Sequence, residues 1–182
     1  MTYLVRQIAP GEWRELRGIR MAAPRDSPTA FSSSYADAAA YTDAYWQEQA
    51  ADEASSKTAA TFIACDEIGN WVGMASAGPL AEVPGHAHIH AVYVFPAHRG
   101  PAGLAARLME VAIRFAAGPH RRLVADARRP REQRACAGLL PADGFEMTGK
   151  VVPYRLNPAE KLYLVGYSNF RGCPAPGSPT RN

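Results

Sequence analysis

Three histidines occupy alternate positions in one short stretch, at residues 86, 88 and 90. Because side chains alternate across a β-strand, this spacing places all three imidazoles on one face. An ordinary histidine has a pKa of about 6.5, so it can accept a proton near neutral pH. A His-x-His strand can also bind zinc. The spacing therefore predicts a proton-transfer site, with a solvated polar face and a metal site as the alternatives.

The histidine strand leads into a glycine-containing loop and then a helix. The alternating stretch runs from His86 to Val94, and Pro96 ends it because proline has no N–H for a strand ladder. Apolar residues then recur at helical spacing, at Leu104, Leu108, Val111 and Phe115. The first turn of a helix has unpaired N–H groups that attract anions, and glycine lets the backbone approach a phosphate. The pattern indicates a phosphate-binding loop or, more simply, a tight connection between strand and helix.

Residues 92–105 read Val-Tyr-Val-Phe-Pro-Ala-His-Arg-Gly-Pro-Ala-Gly-Leu-Ala. This order resembles the acetyl-CoA signature of the GNAT superfamily of N-acetyltransferases, although one extra residue stands between Arg99 and Gly103. The resemblance implies that backbone N–H groups of Val92, Tyr93 and Val94 hold the thioester. It also implies a pyrophosphate site at Arg99, Gly100, Pro101, Ala102, Gly103, Leu104 and Ala105, with a further cofactor contact at Gln133.

The resemblance implies a mixed α/β (α+β) GNAT fold, with a central, mostly antiparallel sheet whose middle strands splay apart between helices. It covers residues 1–167, and a Gly-, Pro- and Ser-rich tail follows over 168–182. Sequence patterns predict strands over 2–8, 60–65, 71–77, 86–94, 123–127, 151–154 and 161–167. They predict helices over 13–23, 37–49, 104–117 and 131–140, a polar loop over 51–57 and turns over 66–70 and 144–149.

The stretch Ala87-His88-Ile89-His90-Ala91-Val92 is similar to the paired-histidine strand of the arylalkylamine (serotonin) N-acetyltransferases. This similarity implies that His88 and His90 act as the general base, often through water, when an amine attacks the thioester. His86 is nearer the strand entrance and is assigned to the substrate side. Phe31 follows the first helix, in a segment that covers the acceptor pocket in GNAT enzymes. Trp46 is a second candidate acceptor contact, although its aromatic stripe is more typical of a core.

One expected group is missing from the sequence. Many GNAT enzymes have a tyrosine in the helix before the Gly144-Phe145 pair, where it protonates the departing thiolate, but this chain has Leu139 or Leu140 there. Glu132 or Gln133 replaces the usual asparagine one turn earlier. Tyr154 is our candidate for the proton donor, and the alternatives are Tyr163, Tyr93, Cys136 and water.

Composition sets the remaining limits. The chain has 182 residues, a formal net charge of +3, 47% apolar residues and three cysteines without a C-x-x-C pair. These values predict a cytoplasmic globular protein without a zinc knuckle, a nucleic-acid-binding face or a membrane span. The expected partners are acetyl-CoA and a small primary amine, and a homodimer is one option for the assembly. The alternatives are a CoA-binding sensor without transferase activity, a different acyl donor and a metal-dependent hydrolase-like site on the three histidines.

Overall fold

The computed structural model describes residues 2–31, 33–80, 86–100, 103–118, 122–125, 145–154 and 157–167. At Thr29, at His86 and beyond residue 118 only the backbone is described. The strands are β1 (Leu4–Gln7), β2 (Ala60–Cys65), β3 (Trp71–Pro79), β4 (His86–Val94), β5 (Arg122–Ala125), β6 (Phe145–Tyr154) and β7 (Asn157–Tyr167). The helices are α1 (Trp13–Asp26), α2 (Tyr35–Ala40), α3 (Asp43–Ser55) and α4 (Leu104–Ala116), with 3₁₀ turns at Pro28–Ala30 and Pro96–His98.

The strands form one sheet in the order β1-β2-β3-β4-β5-β7-β6. Strands β4 and β5 pair in parallel, and the other described pairs are antiparallel. The parallel register runs from His86 opposite Arg122 to Ile89 opposite Ala125. Within the described residues, β4 continues from His90 to Val94 without a strand partner on its β5 side. The mostly antiparallel α/β architecture is confirmed, and within the described residues the parallel pairing extends to Ile89 and Ala125.

The sheet separates two layers of helices. Helix α4 packs on one face, where Leu108 and Ala112 join Ala87 and Ile89 of β4 in an apolar core. Helices α1 and α3 cover the opposite face, where Ile19 of α1 belongs to a cluster with buried side chains of β3 and β4. His88 and His90 alternate with the residues that face α4. Their side chains therefore belong to the α1 and α3 side of the sheet, which we call the histidine face.

Helix α1 does not end before Pro24, as the sequence pattern predicted. It runs to Asp26 with Pro24 inside the helix. Proline removes one backbone hydrogen bond, but both Ala23 and Pro24 are buried and the Ser27 N–H caps the Ala23 carbonyl at 3.0 Å. Burial and capping at the last turn thus outweigh the local proline signal.

The single helix predicted over residues 37–49 is two helices. Ser34 and Asp37 form a capping box that starts α2, and the Thr42 side chain accepts a hydrogen bond from the Tyr45 N–H at 3.3 Å to start α3. Helix α3 then continues to Ser55, so the polar loop predicted from residue 51 is wrong. The reason is that Glu53 lies on the buried face of the helix with Trp46 and Ala50 and pairs there with Arg20, although its residue type suggested a loop.

The last two strands are longer than predicted. Strand β6 starts at Phe145, inside the region predicted as a turn, and β7 starts at Asn157. The register of the pair shifts between Met147 and Val151, so the glycine at 149 lies in an irregularity of one continuous strand. The helix predicted over 131–140 and the tail over 168–182 lie outside the described residues.

Gly18 offers a stability test that leaves the site untouched. It is exposed in the middle of α1, and a Cβ added there would meet no atom within 4 Å. Because alanine has a higher helix propensity, we expect Gly18→Ala to raise the free energy of unfolding by about 0.5–1 kcal/mol in urea titrations. Gly73→Ala is the matched control, since its Cβ would lie 3.0 Å from Leu108 Cδ1 and should destabilise the fold. A destabilising Gly18→Ala would contradict the position of α1.

Candidate active site

A β-bulge in β4 sets the orientation of the residues that follow the histidines. His90 lies opposite Ser76 and Tyr93 lies opposite Met74, so β4 has one residue more than β3 between these pairs. Ala91 accommodates the extra residue with a φ of 52°. Since Met74 and Ser76 share a face, Tyr93 returns to the histidine face. Simple alternation along the sequence assigns Tyr93 to the other face, so sequence reasoning missed this placement.

His88 and His90 lie together on this face. Their rings stack with centroids 4.5 Å apart and planes 23° from parallel. Both residues are half-buried. The Nδ1 atom of His88 is buried and has no hydrogen-bond partner within the part of the chain that the structure describes. The predicted pair is thus a compact unit of two imidazoles that can take up a proton directly or through a water molecule.

A buried polar cluster lies next to His90. Ser76, the cross-strand neighbour of His90, has its Oγ 2.6 Å from Thr61 Oγ1. Arg20 of α1 donates through Nη2 to Ser76 Oγ at 2.8 Å and lies 3.3 Å from Glu53 Oε1 of α3. We call these four residues the Arg20 cluster. No sequence pattern indicates this cluster, because its members are single polar positions in four separate elements.

Aromatic side chains surround the part of the histidine face near the end of β4. Phe31 packs edge-to-face on Tyr93 with ring centroids 6.1 Å apart, and Tyr93 packs on Phe95 at 5.2 Å. Tyr93 is 4% exposed, and this burial raises the pKa of its hydroxyl. The phenol therefore keeps its proton at neutral pH. Phe31, predicted to contact the acceptor, lies on the same face as the histidines.

Trp46 is part of the core. It is 4% exposed and belongs to a cluster with Ile8, Leu16 and Ala50. Its position on the inner face of α3 explains this burial, because Ala50 and Glu53 follow at helical spacing on the same face. Trp46 therefore packs in the core, and this burial argues against its predicted contact with the acceptor.

The loop after β4 has the backbone that an anion site requires. Gly100 has a φ of 125° and Gly103 a φ of 62°, and the Gly103 N–H donates to the Gly100 carbonyl at 3.2 Å. Gly103 is the N-cap of α4, so the unpaired N–H groups of the first turn follow directly. A Cβ at either glycine would meet no atom within 4 Å. Backbone conformation, not crowding, therefore requires glycine here. Pro101 and Ala102 lie outside the described residues.

Arg99 connects this loop to the end of α1. Its Nε donates to the Val94 carbonyl at 2.8 Å, and its Nη2 pairs with Asp26. The guanidinium carbon lies 5.6 Å from the centroid of the Tyr93 ring. These contacts hold Arg99 across the histidine face, and its predicted contact with pyrophosphate stays a prediction. Leu104 is buried in the core below the loop and Ala105 packs beside it, so their contribution to an anion site is their backbone N–H groups.

The Arg99–Asp26 pair predicts a pH dependence of stability. The Arg99 guanidinium, and after it the Ser27 hydroxyl, lowers the pKa of Asp26. The contribution of the pair is therefore present above the unfolded pKa of about 3.9 and is lost as pH falls through the lower folded-state pKa.

We expect Asp26→Asn to cost less than about 1 kcal/mol at pH 7, because the pair is partly exposed. The variant should also reduce the slope of unfolding free energy against pH below about pH 4. Urea titrations from pH 5 to pH 3 measure both effects. Identical slopes for the variant and the parent protein would show that the pair does not stabilise the fold.

The remaining predicted site residues are only partly described. His86 is the first residue of β4, and Tyr154 is the last residue of β6, where it pairs with Asn157. Gln133 lies outside the described residues.

Where the structure describes side chains, no group of three or more His, Cys, Asp and Glu could hold a metal ion. Among the described helices, none has the length and apolar character needed to span a membrane.

Comparison with known proteins identifies the family. The chain matches the acetyltransferase (GNAT) family over residues 19–137. It is similar to the solved acetyltransferase of the GNAT family from Streptococcus pneumoniae, with 24% identity and a TM-score of 0.69 over 91% of this chain and 98% of that one. No curated protein sequence matches this chain significantly.

Two solved structures that contain acetyl-CoA have the same fold. The phosphinothricin acetyltransferase (Pat) from Sinorhizobium meliloti, in complex with AcCoA, is 17% identical with a TM-score of 0.70 over 97% of this chain and 95% of that one. The yncA protein of Salmonella typhimurium, with its cofactor acetyl-CoA, is 20% identical with a TM-score of 0.69 over 97% of this chain and 100% of that one. The family match spans more than half of the chain, and the protein therefore belongs to the acetyltransferase (GNAT) family.

Proposed function

We propose that the protein transfers the acetyl group of acetyl-CoA to the primary amine of a small molecule. The observation that carries this proposal is the stacked His88–His90 pair on the strand that leads to the glycine loop. Membership of the acetyltransferase family and the solved relatives with bound acetyl-CoA support the choice of cosubstrate.

The described residues fit acetyl-CoA. The first turn of α4 offers backbone N–H groups to the pyrophosphate, and the two glycines before it have no Cβ to obstruct the approach. Residues 92–94 follow the end of the described β4–β5 pairing, where a thioester could lie along the strand. Acetyl-CoA supplies the activated acyl group. A preorganised N–H donor that polarises the thioester carbonyl contributes about 3 kcal/mol.

His88 and His90 act as the base in this proposal. An alkylammonium has a pKa of about 10, so direct abstraction of its proton by an ordinary imidazole is uphill. The histidine pair instead takes the proton while the neutral amine attacks, directly or through one water molecule.

The group that protonates the thiolate has three candidates in this proposal. Tyr154 was assigned from the sequence. Tyr93 is the alternative that the structure supports, because its ring lies on the histidine face and its raised pKa keeps the hydroxyl protonated. A thiol has a pKa of about 8.5, so water can also serve.

The test is release of free CoA thiol from acetyl-CoA over a panel of primary amines, with thermal-shift binding of acetyl-CoA alongside. We expect acetyl-CoA to stabilise the protein and release to require an amine. Stabilisation without release from any amine would favour the second candidate, a CoA-binding sensor, which the absence of a tyrosine from residues 132–140 suggests. No stabilisation by acetyl-CoA would refute the proposal.

A further inference from the structure

The guanidinium of Arg20 is the feature of the histidine face that the proposed mechanism does not use. Arg20 is on α1, and its side chain is 20% exposed. All its described side-chain bonds use Nη2, which faces Ser76 Oγ at 2.8 Å, Glu53 Oε1 at 3.3 Å and Thr61 Oγ1 at 3.4 Å. Within the described part of the chain, Nη1 and Nε of Arg20 have no hydrogen-bond partner.

The guanidinium lies close to the proposed base. Ser76 bonds directly to Arg20 and is the cross-strand partner of His90. Directly opposite residues of an antiparallel pair have Cβ atoms about 4.5–5.5 Å apart. Only the Ser76 side chain therefore separates the Arg20 guanidinium from His90 in this chain of contacts, a separation that a small molecule with its amine at the histidine pair can span.

We propose that Arg20 binds a carboxylate of the acceptor, so that the acceptor is an amine that also carries a carboxylate, as a free amino acid does. This inference rests on the proposed function. An arginine N–H to a carboxylate is a charge-assisted hydrogen bond, stronger than a neutral one. It places the amine of the acceptor next to His88 and His90 while the carboxylate remains on Nη1.

Charge balance supports a zwitterion over a simple amine. Arg20 and Glu53 already neutralise each other in the Arg20 cluster. An acceptor with one ammonium and one carboxylate adds no net charge to this half-buried face, whereas a monoamine or a diamine adds uncompensated positive charge. The other carboxylate oxygen of Glu53, Oε2, is buried and has no hydrogen-bond partner in the described residues. Because this oxygen can accept a hydrogen bond from a second ammonium group, a diamine is the main competing acceptor.

The first experiment compares matched acceptors with the parent protein. L-leucine and L-phenylalanine are assayed against their carboxamides, their decarboxylated amines and putrescine, with kcat/KM expressed per unprotonated amine because the amides have more acidic ammonium groups. We expect the carboxylate to raise kcat/KM by about tenfold or more, the range of a hydrogen bond to a charged group. A ratio near one, or a preference for putrescine, would overturn the proposal. Release from no amine at all would instead refute the proposed transferase.

The second experiment removes the cation together with its partner. The variant Arg20→Met/Glu53→Gln leaves no buried charge unpaired, and acetyl-CoA thermal shifts show whether it folds. We expect its kcat/KM ratio of amino acid to carboxamide to fall to about one. Arg17→Met is the matched control, because Arg17 is on the same helix and pairs with Asp43 at the surface, and it should keep the parent ratio. A double variant that retains the parent preference would show that Arg20 has a structural role only.

Discussion

Replacing both His88 and His90 with glutamine should lower kcat by about 100-fold or more while the affinity for acetyl-CoA stays within about twofold. General-base catalysis contributes about 10²–10⁴-fold, and glutamine keeps a polar side chain of similar size without a titrating nitrogen. The effect is confined to kcat because the proposed acetyl-CoA contacts are backbone groups of β4 and the glycine loop.

Each single replacement should lower log kcat by less than half of the decrease in log kcat that the double replacement causes. The two rings are stacked at 4.5 Å, so either imidazole lies where it can receive the proton through a shared water. When two groups can replace each other, the loss of one is partly covered by the other, so the single effects add up to less than the double effect. A double-mutant cycle on kcat measures this coupling. A single variant that reproduces the full double loss, with the other single variant neutral, would mean that only one histidine reaches the amine.

The control for the histidine test is His98→Gln. His98 contacts Tyr3, with the hydroxyl 3.1 Å from Nδ1, and Tyr3 belongs to the core on the α4 side of the sheet. Loss of this imidazole should leave kcat within about threefold of the parent value. If the double variant keeps a kcat within threefold as well, His88 and His90 are not the base, and a solvated polar pair becomes the better account.

Local patterns in the sequence predicted the strand that carries the site. Alternation marked β4, and Pro96 marked its end, because both signals depend only on neighbouring residues. The bounds of β2 were likewise predicted correctly from a short apolar run before a turn that closes between Asp66 and Asn70. The glycines at 100 and 103 indicated a loop whose backbone can approach a phosphate, and in the structure both glycines have a positive φ.

The features that the sequence did not predict depend on contacts between distant elements. The bulge at Ala91 follows from the register of β4 against β3, which alternation along one strand cannot show. The Arg20 cluster joins α1, α3, β2 and β3, and the nearest pair of its members in sequence, Glu53 and Thr61, is separated by the end of one helix and the start of a strand. The placement of Tyr93 on the histidine face could therefore be determined only from the folded structure.

Gly103→Val should weaken acetyl-CoA binding by about tenfold, whereas Gly103→Asn should keep the affinity within about threefold. Gly103 is in the left-handed region, with φ 62° and ψ 25°, at the N-cap of α4. A β-branched residue such as valine loses about 1–2 kcal/mol there, which corresponds to roughly 5–30-fold, while asparagine tolerates this conformation. An added Cβ meets no atom within 4 Å, so the difference between the variants reports backbone strain.

Calorimetric titration with acetyl-CoA gives both affinities, and kcat at saturating acetyl-CoA separates this effect from that of the histidines. We expect Gly103→Val to recover most of the parent kcat at saturation, since strain at the start of α4 displaces the anion-binding N–H groups and leaves His88 and His90 in place. The histidine variant should show the reverse, with normal affinity and a low kcat. Equal affinities for the valine and asparagine variants would mean that the first turn of α4 does not hold the pyrophosphate, because a helix N-terminus can bind an anion only where its backbone N–H groups are correctly oriented.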